Sequence, residues 1–160
     1  LFGELTIVDN WQELAFVRGL GPEPFDLSGP QFAQMLSTKK TKIKPLLLDQ
    51  TFISGIGNLY AAEALFRARI HPATPAVDLT DRQKQVLLKE IKATLSEAIR
   101  CGGSSVDQYV QLNGRQGGYV KHHKVYDRQG KPCLSCKTPI KRIAMGGRGT
   151  YFCPRCQSQP

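Results

Sequence analysis

The middle of the chain has apolar residues at the three- and four-residue spacing of helices that bury one face. Asn58 precedes the first set and is predicted to cap its helix, which should stop near His71-Pro72. Thr80-x-x-Gln83 is a capping-box pattern before the second set, and Gly102-Gly103 should end that helix. The two sets are Leu59, Ala62, Leu65 and Phe66, and then Leu87, Ile91, Leu95, Ala98 and Ile99.

Shorter apolar stretches flank these helices. Ser28 with Pro30 predicts a helix through Leu36, and residues 45–53 predict another with Pro45 in its first turn. A further short helix is predicted from Ser105. Residues 19–30 have the composition of a linker, and residues 112–124 that of a mobile, glycine-rich basic loop.

Strands are predicted only near the two ends. Residues 1–17 indicate short strands, which we interpret as a remnant of a β-sandwich. Residues 140–144 and 150–152 predict a hairpin with residues 145–147 as its turn. The fold is therefore predicted to be mainly α, with a short N-terminal β stub and a C-terminal β-hairpin. The chain is accordingly predicted to consist of three segments, residues 1–24, 25–124 and 125–160.

The charge of the chain is uneven. The net charge is +9, yet residues 1–36 hold one arginine against five acidic residues. Residues 110–160 hold ten lysines and arginines against Asp127. Such a block indicates a polyanionic partner, nucleic acid ahead of a membrane surface, although a solvated basic face without a partner fits equally well.

No apolar run approaches the ~20 residues of a membrane helix. No secretory signal is visible, and the sequence begins with Leu1 rather than Met, so we interpret it as a fragment or processed product.

Four of the five cysteines form two Cys-x2-Cys pairs sixteen residues apart, the pattern of a four-coordinate zinc site with no position left for a catalytic water. One structural Zn²⁺ is predicted, ahead of a disulfide pair, a redox role or an iron–sulfur cluster. Cys101 stands apart and is expected in the core. The predicted ligands are Cys133, Cys136, Cys153 and Cys156.

Two places suit a phosphate group. Gly55-Ile56-Gly57-Asn58 puts backbone amides and an amide side chain at a helix start, and Arg148 lies between Gly147 and Gly149 beside the hairpin turn. The alternatives are an ordinary helix corner with Asn58 only as a cap, and an exposed hairpin arginine. The segment lacks the Gly-Lys-Ser/Thr of a nucleotide-binding loop.

Several motifs, in order along nearly the whole chain, resemble the bacterial formamidopyrimidine-DNA glycosylases. The resemblance names the segments: a helix-two-turn-helix domain, then a four-cysteine zinc finger. The matching residues are Phe2-Gly3, Leu20–Pro24, Lys44–Gln50, Gly55–Phe66, Ile70–Pro72, Val125-Tyr126, Gly130–Cys133, Thr138–Ile140 and Gly147–Gln157.

The resemblance implies a base-excision-repair enzyme that flips oxidised purines such as 8-oxoguanine out of duplex DNA and then cleaves the abasic strand. Its partner would be duplex DNA carrying such lesions or abasic sites, and a monomer in the bacterial cytoplasm is expected. The family's N-terminal Pro-Glu nucleophile and acid do not occur at Leu1-Phe2, so this fragment is expected to bind DNA without excising bases. Residual lyase chemistry through another amine, such as that of Leu1, is a further hypothesis.

The resemblance also assigns residues. It implies DNA contacts by Lys40, Lys44, Asn58 and Arg148, with Arg148 also the proton donor of the second strand cleavage. Residues 112–119 match the loop that closes over a flipped 8-oxoguanine.

Other positions remain open. Glu63 is interpreted as a structural carboxylate rather than a catalytic one, and His71 as helix-end structure. His122-His123 is either a DNA-facing pair or plain loop. The rival function is a non-catalytic zinc ribbon that binds RNA or a protein.

Overall fold

The computed structural model describes residues 7–105 and 117–159. The strand prediction for residues 1–6, the helix predicted from Ser105 and the loop prediction for residues 112–116 lie outside the described residues.

Five α-helices and four 3-10 turns lie in the described ranges. The helices are α1 (Ala15–Arg18), α2 (Gly29–Leu36), α3 (Ile43–Leu48), α4 (Asn58–Arg67) and α5 (Asp81–Arg100). The 3-10 turns are Trp11–Glu13, Pro24–Asp26, Ala76–Asp78 and Tyr119–His122. No helix in these ranges is both long and apolar enough to cross a bilayer.

Side-chain caps set where α2 and α5 begin. The backbone N–H of Gln31 donates to Ser28 Oγ (3.4 Å), and the backbone N–H of Gln83 donates to Thr80 Oγ1 (3.2 Å). In both caps the glutamine side chain accepts the cap residue's own N–H, so each capping box is complete and both predictions are confirmed. Gly103, at φ +84°, closes α5 by donating to the Ala98 carbonyl at 2.8 Å.

The helical core forms where α2, α3, α4 and α5 pack together. Ile99 was predicted on the buried face of α5, but it is 70% exposed, because Ala98, at 3% exposed, occupies the buried side of the last turn. The largest fully buried apolar side chains are Phe32, Leu36, Ile43, Leu47, Ile53, Ile56, Leu65, Ile70, Leu87 and Ile91.

The strand prediction is wrong for the described residues 7–17. Residues 11–13 form a 3-10 turn and residues 15–18 form α1, and both Trp11 and Phe16 are mostly exposed. No neighbouring strand lies alongside within the described residues, so the backbone makes local helical hydrogen bonds instead.

The hairpin consists of β1 (Lys141–Met145) and β2 (Arg148–Phe152), paired antiparallel. Met145 was predicted in the turn, but it pairs with Arg148 and leaves a two-residue turn. Gly146 and Gly147 have φ values of +57° and +72°, which suit glycine and match the twist of the strands. This turn places Arg148 at the tip of the hairpin.

Two buried polar side chains join the finger to the helices. Glu63 on α4 is fully buried and accepts the backbone N–H groups of residues 124, 125 and 126 at 2.8–2.9 Å. Gln157 accepts the Cys153 amide and donates to the Ile70 carbonyl, both at 2.9 Å. These contacts agree with the interpretation of Glu63 as a structural carboxylate.

Candidate nucleic-acid interface and metal centre

The four paired cysteines converge on one point. Their sulfur atoms all lie within 4.8 Å of one another, with Cys133–Cys156 at 3.9 Å and Cys136–Cys153 at 3.4 Å. A tetrahedral Zn²⁺ with four thiolates at ~2.3 Å requires sulfur separations of about 3.8 Å. The donor set therefore fits this ion. Cys101 lies at the end of α5 outside the cluster.

Each cysteine pair sits on a tight turn that aims both sulfurs inward. The Lys137 amide donates to the Cys133 carbonyl and the Gln157 amide to the Cys153 carbonyl, both at 2.9 Å. Lys137 has φ +66°, a left-handed conformation that a non-glycine residue adopts only when its surroundings hold it. The Cys156 amide donates to Cys153 Sγ at 3.4 Å.

The crowded sulfurs resist ionising together without a cation. Burial raises the pKa of Cys153, and burial with the neighbouring sulfurs raises the pKa of Cys156 to about 12. Hydrogen bonding from Thr138 lowers the pKa of Cys136 to about 6. A divalent cation at the centre would stabilise all four thiolates, so the cluster is built to hold a metal.

A cleft of about 480 Å³ opens between the two-turn segment, residues 49–57 between α3 and α4, and the hairpin tip. The tip lies close to α3, since a methyl group added at Gly146 would come within 4.0 Å of Pro45. Asn58 and Arg148 both line this cleft. Its remaining walls are Pro45, Leu48, Asp49, Gln50, Ile56, Gly57, Met145 and Gly146.

Lys44 is buried beside this cleft. Its side chain is 1% exposed, and its Nζ donates to Asn58 Oδ1 (2.6 Å), Thr150 Oγ1 (2.7 Å) and the Gly149 carbonyl (3.1 Å). Burial, with a smaller contribution from Arg148, lowers the pKa of Lys44 to about 8. All three donors of the ammonium group are therefore used inside the protein.

The prediction that Asn58 caps α4 is wrong. Gly57 occupies the cap position without a side-chain hydrogen bond, and Asn58 is the first helical residue. The Asn58 side chain turns to the hairpin, where its Oδ1 accepts from Lys44 and its Nδ2 donates to the Gly149 carbonyl at 3.2 Å. Among the described residues, these are the two hydrogen bonds of the Asn58 side chain.

Gln50 fixes the two-turn segment. Its Oε1 accepts the Gly55 amide at 2.9 Å, and its Nε2 donates to the Ile56 carbonyl at 3.1 Å. Gly55 has φ +80°, which glycine tolerates without strain. The N-terminal end of α4 is thereby held open toward the cleft.

The structure does not bring Lys40 into the cleft. Lys40 is exposed on the segment between α2 and α3, whereas its neighbour Lys39 lies over the Phe52 ring at 5.9 Å. Lys40 therefore lies on the exposed surface and does not line the cleft.

Residues 117–124 differ from the mobile loop that was predicted. Tyr119 is fully buried, and His123 is 7% exposed with its Nε2 3.0 Å from Ser104 Oγ. His122 stacks on Tyr119 and pairs with Glu97 at 2.9 Å. The histidine pair therefore packs against α5 and its following turn, because the aromatic rings find partners there.

His71 is structural, as predicted. It is 8% exposed, its Nδ1 accepts the Ala73 amide at 3.2 Å, and its ring meets Phe152 edge-on at 4.7 Å.

Three residues of this region were not singled out from the sequence as parts of a site: Gln50, Thr150 and Gln157. Thr150 carried one usable signal, since strand alternation puts it on the inward face with Phe152. Gln50 and Gln157 act through contacts that no local pattern reveals.

Comparison with known proteins agrees with this architecture. A family model described as the formamidopyrimidine-DNA glycosylase H2TH domain matches residues 20–110. A model described as a zinc finger found in FPG and IleRS matches residues 130–159.

The formamidopyrimidine-DNA glycosylase of Solibacter usitatus is 49% identical over 143 residues, which are 89% of this chain and 54% of that protein. The crystal structure of the MutM (Fpg) protein from Thermus thermophilus superposes with a TM-score of 0.88 at 40% identity, over 95% of this chain and 59% of that one. Lactococcus lactis Fpg in complex with DNA containing an abasic site gives a TM-score of 0.85 at 37% identity, over 92% of this chain and 56% of that one.

The chain thus spans a little over half the length of these relatives. Both the helical domain and the metal-binding finger match, in the same order and with the same fold. The chain belongs to the formamidopyrimidine-DNA glycosylase family and corresponds to the C-terminal region of those proteins.

Proposed function

We propose that this chain grips the backbone of duplex DNA by binding phosphate in the cleft between α4 and the hairpin. The observation that carries the proposal is that Asn58 and Arg148, 90 positions apart in the sequence, line one cleft. A ten-residue helix begins at Asn58, and its first backbone N–H groups attract an anion. The Arg148 guanidinium can bridge two phosphate oxygens.

The surrounding charge supports the same partner. Lys40 is exposed on the segment between α2 and α3, and the chain carries a net charge of +9. Phosphate neutralisation releases counterions, so binding should weaken steeply as salt rises. The alternative, a solvated basic face without a partner, does not explain why an arginine, an amide side chain and a helix N-terminus meet in one cleft.

The ion in the finger is proposed to be one structural Zn²⁺, held by the four paired cysteines. Its role is to fold a segment whose apolar core is small, and so to keep the Arg148 hairpin in place.

The whole protein is proposed to remove oxidised purines from duplex DNA and to cleave the resulting abasic strand. In that reaction Arg148 is proposed to donate the proton of the second strand cleavage. The 160-residue chain taken by itself is proposed to bind without excising, since the resemblance implies a Pro-Glu pair with a free proline amine and the Pro22-Glu23 of this chain is internal. We place the protein in the cytoplasm, bound to DNA as a monomer.

Fluorescence anisotropy with a duplex that carries an abasic-site analogue, and with its intact counterpart, tests the binding. Arg148→Ala and Asn58→Ala should weaken binding by about tenfold or more, and Lys40→Ala by less because it lies outside the cleft. Arg155→Ala, an exposed finger arginine away from the cleft, is the matched control. Unchanged affinity in all three test variants would sink the proposal and favour an RNA or protein partner.

Borohydride trapping on abasic DNA tests the chemistry. The 160-residue chain should form no covalent adduct. A trapped adduct would show that another amine, such as that of Leu1, acts as the nucleophile.

A further inference from the structure

Four hydrogen bonds meet at one buried point where α3, the start of α4 and the hairpin come together, and three of them reach the hairpin. Lys44 supplies three of them, to Asn58 Oδ1, to the Gly149 carbonyl and to Thr150 Oγ1. Asn58 supplies the fourth, to the same Gly149 carbonyl. Gly149 directly follows Arg148 in β2, so this junction holds the backbone next to the guanidinium.

The hydrogen bonds of this junction use every N–H donor of Lys44, so none remains to contact DNA. An ammonium group has three N–H bonds, and all three point at acceptors inside the protein. Lys44 therefore acts on a phosphate only through the groups it holds.

We propose that Lys44 is a positioning residue whose buried ammonium group locks the Asn58 amide to the hairpin beside Arg148, so that the two phosphate contacts form and weaken together. This inference rests on the proposed phosphate binding in the cleft. It replaces a direct DNA contact by Lys44 with an indirect one.

The junction needs the charged form of the lysine. A neutral amine has two N–H bonds for three acceptors, so deprotonation leaves one buried acceptor without its donor. Burial and the nearby Arg148 already lower the pKa of Lys44 to about 8. Among the described residues, Arg148 is the charged side chain that shifts the pKa of Lys44. The groups that accept hydrogen bonds from Lys44, on α4 and β2, are all neutral.

A phosphate at Arg148 would offset that repulsion and raise the pKa of Lys44. Binding DNA near pH 8 should then take up a fraction of a proton, and affinity should fall by up to about tenfold per pH unit above 8. Folding should respond in the opposite sense. Because the pKa of Lys44 is lower in the folded state, the unfolded chain binds more protons between pH 8 and 10.5, so stability should rise there.

Thr150 provides the variant that separates positioning from mere support. It is fully buried and contacts no solvent. Thr150→Val removes one acceptor at nearly constant shape and should lower the pKa of Lys44. Thr150→Ser keeps the hydroxyl and is the matched control. The chain's α-amine titrates in the same range but is identical in all variants.

The test is duplex-DNA affinity from pH 7 to 9.5 for the three proteins, with zinc content and melting temperature checked. The pH at which affinity begins to fall should move down in Thr150→Val and stay in place in Thr150→Ser. A purely structural role would lower affinity equally at every pH, and coincident pH profiles after normalisation would overturn the proposal.

Calorimetry on the unaltered chain gives a second readout that does not depend on any variant folding. Titrations at pH 8 in two buffers of different ionisation enthalpy should show proton uptake on binding DNA, and no uptake would overturn the role of Lys44. If the unaltered chain bound no DNA at low salt, the proposed function itself would fail. Salt-sensitive binding without proton uptake would leave that function intact and reject only the positioning role.

Discussion

The helical domain and the finger are stabilised in different ways. In the helical domain, α2, α3, α4 and α5 bury a broad set of large aliphatic side chains, and capping boxes begin two of these helices. The finger's apolar cluster is small and includes Ala62 and Phe66, which belong to α4. Its remaining stability must come from the cysteine cluster and from buried polar joints at Glu63 and Gln157.

The candidate phosphate site depends on both regions at once. Asn58 begins α4 of the helical domain, whereas Arg148 begins β2 of the finger, which we expect to depend on a metal for its stability. The helical domain should therefore survive damage to the finger, but the phosphate site should not.

Metal loss should produce the largest effect. Chelation, or Cys153→Ala, should unfold the finger, because structural zinc supplies on the order of 10 kcal/mol of folding free energy in such sites. DNA affinity should fall more than a hundredfold while most helical circular dichroism remains. Cys101→Ala, which alters the cysteine outside the cluster, is the control. Collapse of the helical signal together with zinc release would contradict the independence of the two regions.

A cavity in the helical core should come next. Leu87 is fully buried on α5, so Leu87→Ala should cost about 2–5 kcal/mol of unfolding free energy. Ile99→Ala on the same helix should cost much less, because Ile99 is 70% exposed. Urea denaturation followed by circular dichroism measures both. Zinc content should stay unchanged in the folded variant, and early zinc loss would show that the finger relies on this core more than the contacts indicate.

Breaking a polar joint should cost less. Glu63→Gln replaces one of two accepting oxygens by an N–H₂ group that faces backbone N–H donors, at a cost of about 1–3 kcal/mol. Hydrogen exchange should speed up at residues 124–126 while α5 stays protected. Glu90→Gln is a half-buried control on α5. Equal protection at residues 124–126 in both variants would mean that the carboxylate is not what docks the finger.

Acidification should give the smallest effect. Burial lowers the pKa of both His71 and His123 below the usual 6.5, so the folded state excludes protons that the unfolded chain accepts. Stability should therefore fall as pH drops below 6.5. His123→Gln should reduce that slope, as judged from urea denaturation at pH 7.5 and 6 with zinc content followed. If the unfolding free energy of His123→Gln depended on pH as steeply as that of the unaltered chain, His123 would not contribute to the acid sensitivity.

Local signals predicted the helices well. Each capping box lies within four residues of sequence, Ser28 with Gln31 and Thr80 with Gln83. The starts of α2 and α5 could therefore be predicted from the sequence. The Cys-x2-Cys spacing likewise predicted that the four sulfur atoms would converge on one site. The strands expected over residues 7–17 did not form because a strand needs a partner, and a short apolar run does not show whether one is present.

The candidate site was predictable only in part. The sequence and its resemblance pointed to Asn58 and Arg148, but not to the contact between Asn58 and Gly149, which are 91 residues apart. Lys44 could be predicted as a functional lysine, yet its burial follows from packing between α3 and a distant hairpin. Long sequence separations also hide the backbone partners of Glu63, 61–63 residues away, and the Ile70 partner of Gln157, 87 residues away.

The most direct test of the phosphate site is the salt dependence of duplex-DNA affinity for the unaltered chain, Arg148→Ala and Arg155→Ala. Each lost phosphate contact should reduce the slope of log affinity against log salt by about 1. We predict that Arg148→Ala loses about one such contact, whereas Arg155→Ala keeps the full slope. Equal slopes for the two arginine variants would contradict a phosphate held between α4 and the hairpin.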